Sequence, residues 1–157
     1  MEFAEPERVN CFFELMTPTR IAGGGRFFML NYLIVMVGGA LGTGARFWAS
    51  GFIARRFGEF FPLGTLTVNV TGSFIIGFFA ALTDPQGPFL VAPSWRQFFM
   101  IGICGGYTTF SSFSLQTLDL AQDGDWLKAG LNALLSVACC LVGVWLGRVC
   151  GLTLHPK

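Results

Sequence analysis

The chain has 157 residues, of which 53% are hydrophobic and only 12% are charged, and its formal net charge is +1. A soluble domain carries about a quarter charged residues, so this composition indicates a membrane protein. The small net charge argues against a basic surface for nucleic acid. Five cysteines, an odd number without a C-x-x-C pair, argue against a disulfide framework and a zinc site.

Residues 1–28 mix charged side chains with aromatic and glycine runs. They lack the basic region, apolar core and small-residue cleavage site of a secretory signal. Met29, at the first hydrophobic interval, would make a natural start. We therefore interpret residues 1–28 as a poorly ordered N-terminal extension, residues 29–152 as the transmembrane domain and residues 153–157 as a tail.

Four intervals lack Asp, Glu, Lys and Arg, and each has the roughly 17 to 25 residues that a membrane-spanning helix needs. They cover residues 27–45, 60–83, 97–118 and 129–147. Only short segments connect them, at residues 54–62, 84–96 and 119–128. The predicted fold class is therefore an all-α membrane protein with four transmembrane helices.

The basic residues near the helix ends are divided almost evenly between two sides of the membrane. One side has Arg20, Arg26, Arg96, Arg148 and Lys157, and the other has Arg55, Arg56 and Lys128. Lysine and arginine favour the cytoplasmic side, so this weak bias is compatible with insertion in both orientations. Two oppositely inserted copies would form an inverted pair.

Arg46 is the one basic residue close to the membrane interior, directly after the first interval. Its side chain either reaches back to the membrane interface or places a positive charge at a pore mouth, where it concentrates anions.

No Asp or Glu lies in any of the four intervals. A proton-coupled exporter is therefore disfavoured, because it needs a membrane carboxylate.

Polar side chains share one face of the second predicted helix. Thr65, Asn69 and Ser73 are spaced by four residues, so they lie above one another. The amide of Asn69 has two N–H donors and an acceptor, which suit either a hydrogen bond between helices or an ion in a pathway. The fourth span repeats this spacing with Asn132, Ser136 and Cys140.

The third interval contains C-G-G-Y-T-T-F-S-S-F at residues 104–113. Each of its two adjacent glycines weakens a helix by roughly 1 kcal/mol relative to alanine, so we expect this helix to be interrupted. Interrupted helices within membranes often bind or pass a polar species. Phe110 and Phe113 follow the glycines and face either lipid or a lumen, where the partly positive edge of a ring attracts an anion.

Three motifs on successive spans are similar to those of the small bacterial fluoride channels called the Fluc or CrcB family. They are G-G-A-L-G-T-G-A-R-F at residues 38–47, G-T-L-T-V-N-V-T-G-S-F at 64–74 and G-G-Y-T-T-F-S-S-F at 105–113. The resemblance implies passive efflux of fluoride across the bacterial plasma (inner) membrane, and hence fluoride resistance. It also implies an antiparallel, dual-topology homodimer with a broken third helix and two fluoride pathways along the subunit interface.

The resemblance implies that polar and aromatic side chains of three spans form the fluoride pathway. These residues are Asn69, Phe110, Phe113, Thr65, Ser112 and Ser136. Arg46 corresponds to the family's arginine near the vestibule. Asn132 and Cys140 depart from the aromatic or hydroxyl residues that the family often has there, so their correspondence is only partial.

A structural sodium ion at the dimer centre is also implied by the resemblance. By motif position, the backbone carbonyls of Gly105 and Thr108 would hold it. The ion would neutralise the partial negative charge of carbonyls at the interruption. Fluoride would pass between neutral donors and ring edges in series, which bind weakly enough for the ion to leave.

Three alternatives stay open from the residues alone. Carbonyls at the interruption could line a pathway for a cation, and the polar faces could merely hold the helices of a membrane scaffold together. An intramembrane enzyme is strongly disfavoured, because no His, Asp or Cys–His constellation lies at membrane depth. The expected partners are fluoride, a second copy of the chain and membrane lipid.

Overall fold

The computed structural model describes residues 25–58, 60–85 and 87–154 of the chain. Residues 1–24 and 155–157, which hold most of the expected extension and tail, lie outside this description. The described part is helical and contains no strand. This confirms the predicted all-α fold class.

Four helical stretches are long and apolar enough to cross a membrane. The first two are α1 (Gly25–Phe57) and α2 (Leu63–Leu82). The third combines α3 (Pro93–Gln97), a π-helical segment (Phe98–Cys104), α4 (Gly105–Tyr107) and α5 (Phe110–Gln122). The fourth is α6 (Trp126–Thr153). The predicted number of spans is therefore confirmed.

The first helix extends well beyond the charge-free interval that predicted it. Helix α1 continues to Phe57, so Arg55 and Arg56 are helical rather than part of a connecting segment. Arginine is a good helix former, and its long side chain reaches water from within a helix. The helix ends at Phe57 and is followed by Gly58, whose φ of 81° is accessible to glycine without steric cost.

Glycines bring the membrane helices so close that their backbones nearly touch. A Cβ added to Gly42 of α1 would meet the carbonyl oxygen of Ile103, and one added to Gly147 of α6 would meet that of Phe74. Small residues promote helix association in bilayers through such close approach. As a result, α2 packs along α6, while α1 packs along the π-helical segment.

The third stretch is interrupted between α4 and α5. Thr108 (φ −83°, ψ 158°) and Thr109 (φ −152°, ψ 107°) have extended backbones. Thr109 then caps α5, because its Oγ1 accepts a hydrogen bond from the N–H of Ser112 at 3.2 Å. Threonine favours this position because its side chain satisfies one of the free amides at a helix start.

Replacing Gly147 with alanine should lower the thermal stability of the protein in detergent. The new methyl group would overlap the Phe74 carbonyl and lie 2.9 Å from the backbone nitrogen of Phe78. We expect a loss of about 3 kcal/mol, measured as a lower midpoint temperature of unfolding. Gly130→Ala is the matched control in the same helix, because its Cβ would have no neighbour within 4 Å. Equal midpoints for the two variants would contradict this packing.

Candidate functional site

A half-open cavity of about 530 Å³ lies where the interrupted third stretch faces α2 and α6. Its walls are mostly apolar, and none of the described residues that line it is charged. Many residues that the sequence predicted for the ion sites line it, namely Asn69, Gly105, Thr108, Phe110, Phe113 and Ser136. Thr109 and Cys140 line it as well. Side chains from three separate spans therefore converge on one space.

Other predicted residues lie outside the lining of this cavity. Thr65 is buried on α2, one turn before Asn69, and Ser112 is half-buried in the first turn of α5. Arg46 is half-buried within α1, in the turn before Ser50. The i, i+4 spacing of Thr65 and Asn69 determines a shared face, but it does not determine which residue lies level with the interruption.

Asn69 forms two hydrogen bonds with the backbone at the interruption. The N–H of Thr109 donates to Asn69 Oδ1 at 2.7 Å, and Asn69 Nδ2 donates to the carbonyl of Thr109 at 3.1 Å. In a continuous helix that N–H would donate to the carbonyl of Gly105. The amide of Asn69 thus links α2 to the interruption, and one of its two Nδ2 hydrogens is left for another acceptor.

The carbonyls of Gly105 and Thr108 lack the amide donors that a continuous helix would supply. The N–H of Thr109 donates to Asn69, and the N–H of Ser112 donates to Thr109 Oγ1. No backbone amide of the described residues replaces either donor. Partial negative charge therefore remains on two carbonyls beside the cavity.

The start of α5 carries partial positive charge, the opposite of the charge on these two carbonyls. Its first amides, those of Phe110 and Ser111, have no intrahelical acceptor. Free N–H groups and the helix dipole make such a terminus favourable for anions. Because Thr109 and Phe110 line the cavity, this positive end of α5 lies at its wall.

Ser136 lines this cavity and has a buried hydroxyl. Its Oγ has no hydrogen-bond partner among the described residues, and the residue is 6% exposed. Buried polar groups in native proteins nearly always have a partner. The unpaired hydroxyl of this cavity-lining residue makes Ser136 a candidate hydrogen-bond donor to a ligand.

Gln116 is a polar residue outside the set that the sequence motifs predicted for the site. Its Oε1 is buried without a partner within the described part of the chain. It follows Phe113 by three residues, on a neighbouring part of the same face of α5. The sequence signal for Gln116 is its primary amide side chain, a polar group inside a charge-free interval.

The two phenylalanines of α5 form a close pair. Their ring centroids are 5.1 Å apart and the ring planes are tilted by 54°. Phe113 is buried, whereas Phe110 is 75% exposed at the surface of the protomer. The pair thus extends from the cavity wall to the outer surface of this single chain.

A family model described as CrcB-like protein, Camphor Resistance (CrcB), matches residues 33–148 of the chain. The chain belongs to the CrcB family. A CrcB relative from Rhodospirillum rubrum, named fluoride-specific ion channel FluC, is 59% identical over 120 residues, covering 76% of this chain and 93% of the relative. Relatives of the same name from Methylocella silvestris and Opitutus terrae are 54% and 57% identical, and each is covered over 96% of its length.

The match to the CrcB family includes every candidate site residue, from Arg46 to Cys140. It confirms the family that the three sequence motifs predicted. Together with four helices able to span a bilayer, it identifies a multi-pass membrane protein.

Proposed function

We propose that the protein is a fluoride-selective channel, which lets fluoride leave the cytoplasm passively and thereby confers fluoride resistance. The observation that carries this proposal is the uncharged cavity where neutral donors meet the positive end of α5. The relatives named fluoride-specific ion channels support the identity of the ion. The protein acts as a channel rather than as an enzyme.

Fluoride is strongly hydrated, so a pathway must replace its water with other hydrogen-bond donors. The remaining Nδ2 hydrogen of Asn69 and the unpaired hydroxyl of Ser136 supply two such donors at the cavity. Thr65 and Ser112 extend this polar track beyond it. Neutral donors hold an anion less firmly than a guanidinium group does, so the ion can leave again.

The start of α5 adds attraction for an anion without a formal charge. A helix N-terminus carries roughly half a positive elementary charge, and the edges of the Phe110 and Phe113 rings carry a further partial positive charge. Arg46, half-buried in α1, would act before fluoride reaches the cavity, by concentrating anions in the vestibule.

We further propose that a second copy of the chain closes the half-open cavity in an antiparallel, dual-topology homodimer. Phe110 and Gly105 line the cavity and are exposed in the single chain. Lipid cannot hydrogen-bond to an ion or to free backbone groups, so a pathway at this surface needs a protein partner. The interruption at Thr108 and Thr109 would then be the family's broken third helix, with two pathways along the interface.

The distribution of basic residues supports insertion in both orientations. Arg96 and Arg148 lie at one end of the helices, and Arg55, Arg56 and Lys128 lie at the other. Such a small difference gives little preference for either side of the membrane. We place the dimer in the bacterial inner membrane, surrounded by lipid.

The backbone carbonyls of Gly105 and Thr108 would hold a structural sodium ion at the dimer centre. The loss of their helical donors supports this fit, because it leaves two oxygens available to a cation. A bound sodium ion supplies positive charge that neutralises these carbonyls and joins the two subunits.

Removing sodium should therefore weaken both the dimer and its transport. We expect protein purified in N-methylglucamine chloride to lose about 2 to 3 kcal/mol of the stabilisation that saturating sodium provides. Cross-linking would report the dimer fraction, and sodium added back should restore both dimer and fluoride efflux. The same concentration of lithium or potassium is the control. Unchanged efflux after exhaustive sodium removal would contradict this site.

Fluoride efflux from proteoliposomes, followed with a fluoride electrode, tests the proposed function. We expect rapid release when valinomycin and potassium balance the charge, and none from protein-free vesicles. A membrane scaffold would release no fluoride. Reversal potentials under a fluoride gradient test the remaining alternative, a pathway for a cation. Selectivity for sodium or potassium would overturn the anion pathway.

A further inference from the structure

Helix α5 depends on tertiary contacts for its orientation. The extended residues Thr108 and Thr109 separate it from the preceding helix, so continuous backbone hydrogen bonds do not hold it in line. It packs mainly against α6, and Phe113 is the one residue of this fully described helix that is buried. Within the single chain, so few buried residues leave the rotation of α5 about its axis to be fixed by directional contacts.

Asn69 supplies such a contact at Thr109, before the start of α5, and a part-buried pair of consecutive hydrogen bonds supplies another between α5 and α6. Asn132 Nδ2 donates to Thr117 Oγ1 at 2.8 Å, and Thr117 Oγ1 donates to the carbonyl of Phe113 at 2.7 Å. The directions follow from chemistry, because the amide nitrogen cannot accept and the hydroxyl has a single hydrogen. Asn132 is 1% exposed, and hydrogen bonds in series strengthen one another in such surroundings.

This pair of bonds acts on the side of α5 that carries the phenylalanines. Thr117 lies about one helical turn after Phe113 and about two turns after Phe110. Holding its hydroxyl against α6 therefore determines the direction in which both rings leave the helix. We infer that Asn132 and Thr117 are positioning residues for the phenylalanine pair, an inference that rests on the proposed fluoride pathway.

The arrangement differs from one in which Asn132 binds the ion itself. Asn132 Nδ2 already donates to Thr117, and Asn132 is not among the residues that line the cavity. A direct ligand would need Asn132 alone, whereas positioning needs both partners of the hydrogen bond. Variants of Thr117 therefore separate the two roles.

The experiment compares Thr117→Val, Thr117→Ser, Asn132→Leu and the double variant of Thr117→Val with Asn132→Leu in proteoliposomes. Initial efflux is expressed per active vesicle, and the ratio of fluoride to chloride flux is measured beside it. We expect Thr117→Val and Asn132→Leu each to lower fluoride efflux about tenfold and to lower the ratio. Because both remove the same bond, the double variant should be no slower than either. Thr117→Ser keeps the hydroxyl and should restore both readouts.

Three results would overturn the inference. Unchanged efflux in Thr117→Val with slow efflux in Asn132→Leu would mean that Asn132 contacts the ion directly. Normal efflux in both variants would mean that the hydrogen bond between Asn132 and Thr117 does not orient the phenylalanine rings. The proposed channel function would be unaffected by that result. Fewer active vesicles with an unchanged flux ratio would mean a role in folding alone. If the unmodified protein released no fluoride, the proposed function itself would fail.

Discussion

Replacing Asn69 with alanine should lower fluoride efflux by about a hundredfold. The substitution removes both hydrogen bonds to Thr109, at 2.7 Å and 3.1 Å. Unpaired buried backbone groups each cost about 1 to 3 kcal/mol, so the interruption would shift toward another arrangement. The same substitution removes the remaining Nδ2 hydrogen, which we propose as a donor to fluoride. Efflux from proteoliposomes, normalised to the amount of reconstituted protein, measures the loss.

Thr67→Val is the matched control for Asn69→Ala. Thr67 lies on the same helix and is exposed, on the side of α2 away from the cavity. We expect its efflux to equal that of the unmodified protein. If Asn69→Ala also conducted normally, Asn69 would be neither a donor for the ion nor a support for the interruption.

Replacing Phe110 with isoleucine should lower fluoride efflux by about tenfold and leave the fold of the protomer intact. Isoleucine is apolar but has no ring edge, so the partial positive charge offered to the anion is lost. Contact with Phe113, at a centroid distance of 5.1 Å, is lost as well. Because Phe110 is 75% exposed in the single chain, its removal leaves no cavity in the core of the protomer.

Phe47→Ile provides the comparison for a phenylalanine of similar exposure. Phe47 is 82% exposed on α1 and does not line the cavity. Normal efflux in Phe47→Ile beside slow efflux in Phe110→Ile would assign the effect to the position of the ring. Normal efflux in both variants would remove the aromatic pair from the pathway.

The four spans could be predicted because a bilayer excludes charge over a known thickness. The same rule could not predict where the helices end. Arg55 and Arg56 remain in α1, since helix formation depends on backbone hydrogen bonds and the long side chains reach water on their own. Charge patterns therefore locate the membrane interior, whereas backbone geometry decides the helix boundaries.

The sequence predicted which residue types belong to the candidate site, but it predicted their positions in space only in part. Four-residue spacing set Asn69 and Ser136 on polar faces, and both line the cavity. Thr65 shares the face of Asn69 but lies outside the lining. Periodicity determines direction about a helix axis, and it carries no information on position along that axis relative to another helix.

By itself, the sequence determined the membrane class, the four spans and the family, and it predicted the side chains that would meet an anion. Only the tertiary structure decided which partners those side chains have. Asn69 bonds to Thr109 and Asn132 bonds to Thr117, because packing brings separate helices together there. The strength of a hydrogen bond depends on distance and direction in space, and neither is encoded in the local pattern around an asparagine.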